Sequence, residues 1–224
     1  MARGPQLALC SPIDGGPASP ARREKREAIL EAAIEVFARC GYHRARVSDI
    51  AREAGIAYGL VYHYFKNKEE ILSTIFEERW STFLEALEAV ERRDVPAREK
   101  LVSVAALILN AYRLRPAWVK VLVLEIQRSS RFAEPGQLRA VGALFQGVAR
   151  ILRAGQQSGE LRRDLDPDIA CTVFLGGLEL ALTSLVLELA RPDAAAGGAD
   201  GYYLRVAHTV VDVFLNGLAA GDAS

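Results

Sequence analysis

Residues 46–68 read RVSDIAREAGIAYGLVYHYFKNK, and they describe two short helices meeting at a tight corner. Val47 or Ser48 opens the first, and Ile50, Ala51 and Ala54 give it an apolar face. Gly55 stops it, as glycine does where the backbone must turn left-handed. Ile56 returns the chain to the core, and residues 58–65 are expected to form a second helix of barely two turns. Such a pair suits insertion of its second helix into the major groove of DNA. So short a segment cannot bury enough apolar surface alone, so the remaining chain must hold it.

On its N-terminal side, residues 22–40 form a long amphipathic helix, with Ile29, Ala33, Val36, Phe37 and Cys40 at three- and four-residue steps. Its basic start, RREKR, reads either as a solvated face paired with Glu24, Glu27 and Glu31 or as a source of phosphate contacts. Residues 1–21, with four prolines and three glycines, read as a disordered tail. On its C-terminal side, Asn67 caps a helix running to about residue 92, and Glu70 completes a capping box. That helix starts beside the reading element and is a natural lever to whatever follows.

Further helices are expected over 96–114, 118–127, 138–157, 166–189 and 202–218, separated by Pro116, Pro135-Gly136, Ser158-Gly159 and the Ala/Gly-rich stretch 191–201. No segment has a convincing strand period and no repeat is visible, so the chain reads as all-α with about nine helices. The chain is expected to divide into 22–68, which holds the two short helices and the helix before them, and 69–224, the helical remainder.

The 224 residues are 50% hydrophobic with zero net charge, so there is material for a core but no global field toward nucleic acid. Residues 22–70 hold 10 Lys/Arg against 8 Asp/Glu, too weak a bias to identify a DNA binder. Cys10, Cys40 and Cys171 are scattered, as are His43, His63 and His208, which fits a reducing cytoplasm and argues against a disulfide framework or a metal site. The apolar stretch 170–190 contains Glu179 and Glu188 and reads as a buried helix rather than a membrane span. There is no Ser/His/Asp set, paired-carboxylate site or phosphate-cradling glycine loop, which weighs against an enzyme of CoA esters.

The run AILEAAIEVFARCGYHRARVSDIAREAGIAYGLVYHYFKNKEEIL resembles the TetR family of bacterial transcriptional regulators over about 45 residues, in helix order, in IAREAG and in YHYFKNKEE. The pieces GYHRARVSDIA, LVLEIQRSS and AGQQSGELRRDLDPDIACTVFLGGLE are similar to FadR-like members, repressors of fatty-acid degradation genes that respond to long-chain acyl-CoA. The resemblance implies a homodimer on double-stranded operator DNA, joined through residues 167–189 and 202–218, with a small hydrophobic effector and no other cofactor. It directs Tyr58, Gly59, Leu60, Tyr62 and His63 toward DNA, with Arg46, Ser48 and Lys68 at helix starts as phosphate ligands. Val61, Tyr64 and Phe65 face inward. Two positions depart from the pattern: Ala57 stands where a hydroxyl residue is common, and Leu60 where threonine is. Both leave operator sequence and affinity open.

For the effector, Tyr112, Trp118, Leu122, Phe132, Phe145 and Phe174 are candidates to line an apolar tunnel, and Arg128 to meet a polar head. If CoA phosphates are bound, Arg131, Arg139, Arg150 and Arg153 are further candidates. A sensor of cationic drugs is the competing reading, with Glu125 and Glu179 as its internal carboxylates. A purely structural helical adaptor is the remaining one.

Overall fold

The computed structural model describes residues 19–126, 135–190 and 198–216, and among them the chain is all-helical. Nine helices follow in order: α1 (Pro20–Cys40), α2 (Val47–Glu53), α3 (Tyr58–Val61), α4 (Lys68–Glu91), α5 (Ala97–Leu114), α6 (Pro116–Ile126), α7 (Pro135–Ser158), α8 (Pro167–Val186) and α9 (Gly198–Asn216). The expected tail over 1–21 lies outside the described residues except at its end. There Ser19 caps α1 and Pro20 occupies its first turn, where a missing N–H costs nothing.

Helices α1, α2 and α3 pack together around Ile29, Val36, Phe37, Ile50, Val61 and Phe65, all nearly inaccessible. Gly41 and Gly55 end α1 and α2 with φ of 77° and 66°, the conformation that glycine adopts at least cost. Helix α3 is shorter than its sequence suggests. After Val61 the bonds tighten, with His63 N–H donating to Leu60 O at 3.1 Å and Tyr64 N–H to Val61 O at 3.0 Å, so residues 62–64 are a turn. Four helical residues have no stability of their own. Val61 and Phe65, at 1% and 3% exposure, hold the element, each burial being worth about 2 kcal/mol.

Asn67 caps α4, accepting from Glu70 N–H at 2.8 Å, while Glu70 accepts from Lys66 N–H at 2.5 Å rather than from the cap residue itself. Helix α4 then packs against α1, α5 and α7, α1 lies against α6, and α5 against α9. Gly155 lets α7 close on its surroundings: a Cβ there would stand 2.8 Å from Ala97 Cβ and 2.7 Å from Leu161 Cδ1. Helix α8 is long and apolar enough to cross a membrane, but one of its faces is buried in the core through Cys171, Phe174, Leu175, Leu178, Leu182 and Leu185. Its other face exposes Ile169, Val173 and Leu180 at 66%, 62% and 67%, a stripe at helical spacing.

Candidate nucleic-acid interface and ligand cleft

The outer surface of α3 and its turn is made by Tyr58, Gly59, Tyr62 and His63, all exposed, with Leu60 partly covered. Tyr64 is partly covered on the inner side, with Val61 and Phe65 beneath. The Tyr58 and Tyr62 hydroxyls lie 2.8 Å apart, and their rings meet edge to face at 5.3 Å. The Tyr58 hydroxyl holds the Tyr62 phenol above its ordinary range, so the Tyr62 hydroxyl keeps its proton at physiological pH and can donate it to a phosphate or base edge. A Cβ built on Gly59 meets nothing within 4 Å, so the fold itself does not require glycine there. Ala57 and Ser48 are also exposed, leaving the start of each short helix open.

Arg46 is exposed and precedes α2, where its N–H donates to Asp49 Oδ2 at 3.2 Å; Asp49 also holds Arg52 at 2.7 Å. Lys68 departs from expectation. Its ammonium donates to Tyr42 O at 2.8 Å and Ala45 O at 2.9 Å, lies 3.4 Å from His43 O, and stands over the Tyr42 ring. Those acceptors use all three of its donors, so the side chain is committed to holding the α1–α2 turn against α4. Only the backbone N–H groups at the start of α4 remain for an anion there.

A cleft of about 520 Å³ opens between the ends of α5, α6, α8 and α9, lined by Tyr112, Arg113, Pro116, Leu185, Glu188, Ala190 and Tyr203. Tyr112 donates to Leu185 O at 3.2 Å, and burial pushes both the Tyr112 and Tyr203 phenols up. Of the expected effector residues among those described, Tyr112 alone reaches this cleft. Trp118 is buried edge-on against Phe76, and Phe174 packs on Phe214 in the core. Leu122 is half-buried, while Phe145 is 37% exposed on α7. Arg128, Arg131 and Phe132 lie outside the described residues.

Two of the expected phosphate ligands of α7, Arg150 and Arg153, are already engaged. Arg150 makes a two-pronged pair with Glu91 at 2.6 and 2.8 Å, and Arg153 meets Asp168 at 2.5 Å. Arg139 is exposed. Glu179 is exposed rather than internal, which removes it as a buried carboxylate for a cationic drug. Two buried donors that the sequence reading missed, Trp80 Nε1 and Thr183 Oγ1, have no hydrogen-bond partner among the described residues. Burying such groups unpaired costs about 1–3 kcal/mol each, so an acceptor atom beside either would be stabilised.

Residues 29–75 match the family profile described as bacterial regulatory proteins, tetR family. The chain is 33% identical over 179 residues to the fatty acid metabolism regulator protein of Bacillus subtilis, covering 78% of this chain and 90% of that one. Among solved structures it is similar to the fatty acid degradation regulator FadR of Bacillus halodurans, with 25% identity, a TM-score of 0.77 and coverage of 91% and 98%. It is also similar to FadR of Bacillus subtilis in complex with stearoyl-CoA, with 28% identity, a TM-score of 0.74 and coverage of 86% and 99%.

Proposed function

The chain belongs to the TetR family of bacterial regulatory proteins, and from that premise we propose that it is a dimeric repressor released from operator DNA by long-chain acyl-CoA. Its relatives are transcriptional regulators, and the enzyme and adaptor readings are set aside with them. Residues 22–68 serve as the reading head and 69–224 as the effector and dimer unit, working in the cytoplasm where DNA is. Tyr58, Gly59, Tyr62 and His63 approach base edges and phosphates, with Leu60 at their flank and Arg46 and Ser48 at the start of α2. The observation that carries this part is Gly59, a helical glycine whose missing side chain serves no contact within the chain and leaves room for a close-approaching duplex.

The exposed apolar stripe of α8, with Leu204 of α9 at 50% exposure, supports a second copy of the chain as its cover. Two heads so joined would engage half-sites about 34–36 Å apart, or a multiple of that. An effector bound in the C-terminal unit would tilt α4 and change that separation, and it acts only by favouring one spacing over the other. Acyl-CoA is supported by likeness to a fatty acid metabolism regulator and to a protein solved with stearoyl-CoA.

One observation favours a different hydrophobic effector. The cleft presents Glu188 and two tyrosines as well as Arg113, a lining richer in polar groups than an acyl tail needs. Gel shifts with and without palmitoyl-CoA decide between them. Release supports the acyl-CoA reading, and unchanged binding removes it while leaving the regulator.

A further inference from the structure

Two of the ionic contacts between the reading head and the helices behind it meet at Glu31. Helix α1 presents Glu27 and Glu31, one turn apart, to Arg79 of α4, which lies 2.6 Å from Glu27 and also pairs with Glu31. Beside them Arg26 meets Glu78 at 2.5 Å and stands 5.6 Å from the centre of the Phe65 ring, just after the reading element. A second cation reaches Glu31 from elsewhere: Arg115 Nη1 lies 2.6 Å from the same Oε1 that Arg79 binds.

Arg115 is the single residue between α5 and α6, with φ −142° and ψ 67°, outside the helical region. Pro116 follows as the first residue of α6, and its ring fixes φ. Tyr112, Arg113 and Pro116, around this joint, line the cleft. A one-residue joint backed by proline has little freedom to absorb a displacement. A body that spreads the cleft must turn the joint, and the Arg115 side chain with it.

We propose that Arg115 is a positioning residue that carries occupancy of the cleft to the reading head, through an ion pair with Glu31 that opens when the α5–α6 joint turns. Arg115 and Glu31 keep 49% and 41% of their side chains exposed, so solvent screening makes the pair a weak source of stability. Its effect lies in where α1 sits. Glu31 keeps Arg79 when Arg115 leaves, so the head stays folded on α4 and packed on α6 but loses its ionic tie to the α5–α6 joint. The assignment rests on the ligand-responsive reading above, and one arm of its test does not.

The test compares Arg115→Gln, Arg115→Lys, Glu31→Gln and the Arg115→Gln/Glu31→Gln pair in the full chain. The first arm is amide hydrogen exchange over residues 28–40 without ligand. Exchange should quicken about threefold or more in Arg115→Gln and Glu31→Gln, stay near wild type in Arg115→Lys, and leave the urea midpoint in place. The second arm is the ratio of DNA affinities without and with saturating stearoyl-CoA. That ratio should fall about fivefold in each Gln variant, within the usual span of coupling between sites, and no further in the double variant. Unaltered exchange in both single Gln variants overturns the proposal, as does a full wild-type ratio in them. If the wild-type protein ignores stearoyl-CoA, the effector reading fails, and the exchange arm alone decides for or against the Arg115 tie.

Discussion

The Lys68 ammonium sits 4.4 Å from the centre of the Tyr42 ring while donating to the Tyr42 carbonyl at 2.8 Å. The Tyr42 hydroxyl in turn donates to Glu69 at 2.8 Å, so one tyrosine joins the α1–α2 turn to the first turn of α4 by both its ends. The head is thereby fixed to its lever by a cation, a ring and a hydroxyl rather than by apolar packing alone. Replacing Lys68 with Met should cost about 2 kcal/mol in urea unfolding, because part-buried carbonyls lose a charged donor. A phosphate ligand would behave otherwise: its loss would leave stability alone and lower the salt dependence of DNA binding by about one charge.

Two glycines of the short helices separate fold from recognition. Gly55 has φ 66°, where an added Cβ is strained, so Gly55→Ala should destabilise the protein by about 1–2 kcal/mol. Gly59 has open space in place of a Cβ, so Gly59→Ala should stabilise it by roughly 0.5–1 kcal/mol, the ordinary helical gain, while weakening DNA binding. Denaturation and fluorescence anisotropy on the same samples check both. Equal DNA affinity in Gly59→Ala would remove the close approach of DNA at this residue.

The paired hydroxyls of Tyr58 and Tyr62 give a spectroscopic handle. Tyr62 should ionise above the usual phenol range and return toward it in Tyr58→Phe, read by ultraviolet titration. Its folded pKa is raised, so the pair's contribution is complete below the ordinary phenol pKa and vanishes only as pH rises through the folded one. Neutral solution therefore keeps it whole. Tyr62→Phe should lower the thermal midpoint only slightly, since the pair is exposed, and lower DNA affinity about tenfold, the loss of one directed contact.

Acid should loosen the far end of α4. Arg150 holds the Glu91 carboxyl below the usual glutamate range, against a smaller opposing effect of burial. A depressed carboxylate contributes stability above its unfolded pKa and loses it as pH falls through the folded value. Arg150 is half exposed, so the screened contribution is roughly half a kcal/mol. The stability difference between wild type and Arg150→Gln should be full at neutral pH and close below the usual glutamate range.

Where the sequence reading succeeded, the cause was local. Gly55 stops α2 because only its own backbone needs the left-handed conformation, and Asn67 caps α4 through an amide three residues on. The inner and outer sides of residues 58–65 came from the family resemblance, and Val61 and Phe65 are buried as it implies. The engagement of the Lys68 ammonium was not legible, because its acceptors are backbone carbonyls, which leave no mark in a sequence. Of the residues expected to line an apolar tunnel, Trp118 and Phe174 pack their rings on Phe76 and Phe214. The cleft is made instead from helix ends remote in sequence, including Pro116 and Glu188, which only the tertiary arrangement brings together.

The most direct measurement takes a duplex that the purified protein enriches from genomic fragments and titrates it by fluorescence anisotropy, with and without palmitoyl-CoA. The account predicts a two-fold symmetric site bound by two copies of the chain, with affinity lost as palmitoyl-CoA is added. Failure to enrich any sequence over bulk DNA at physiological salt would contradict it.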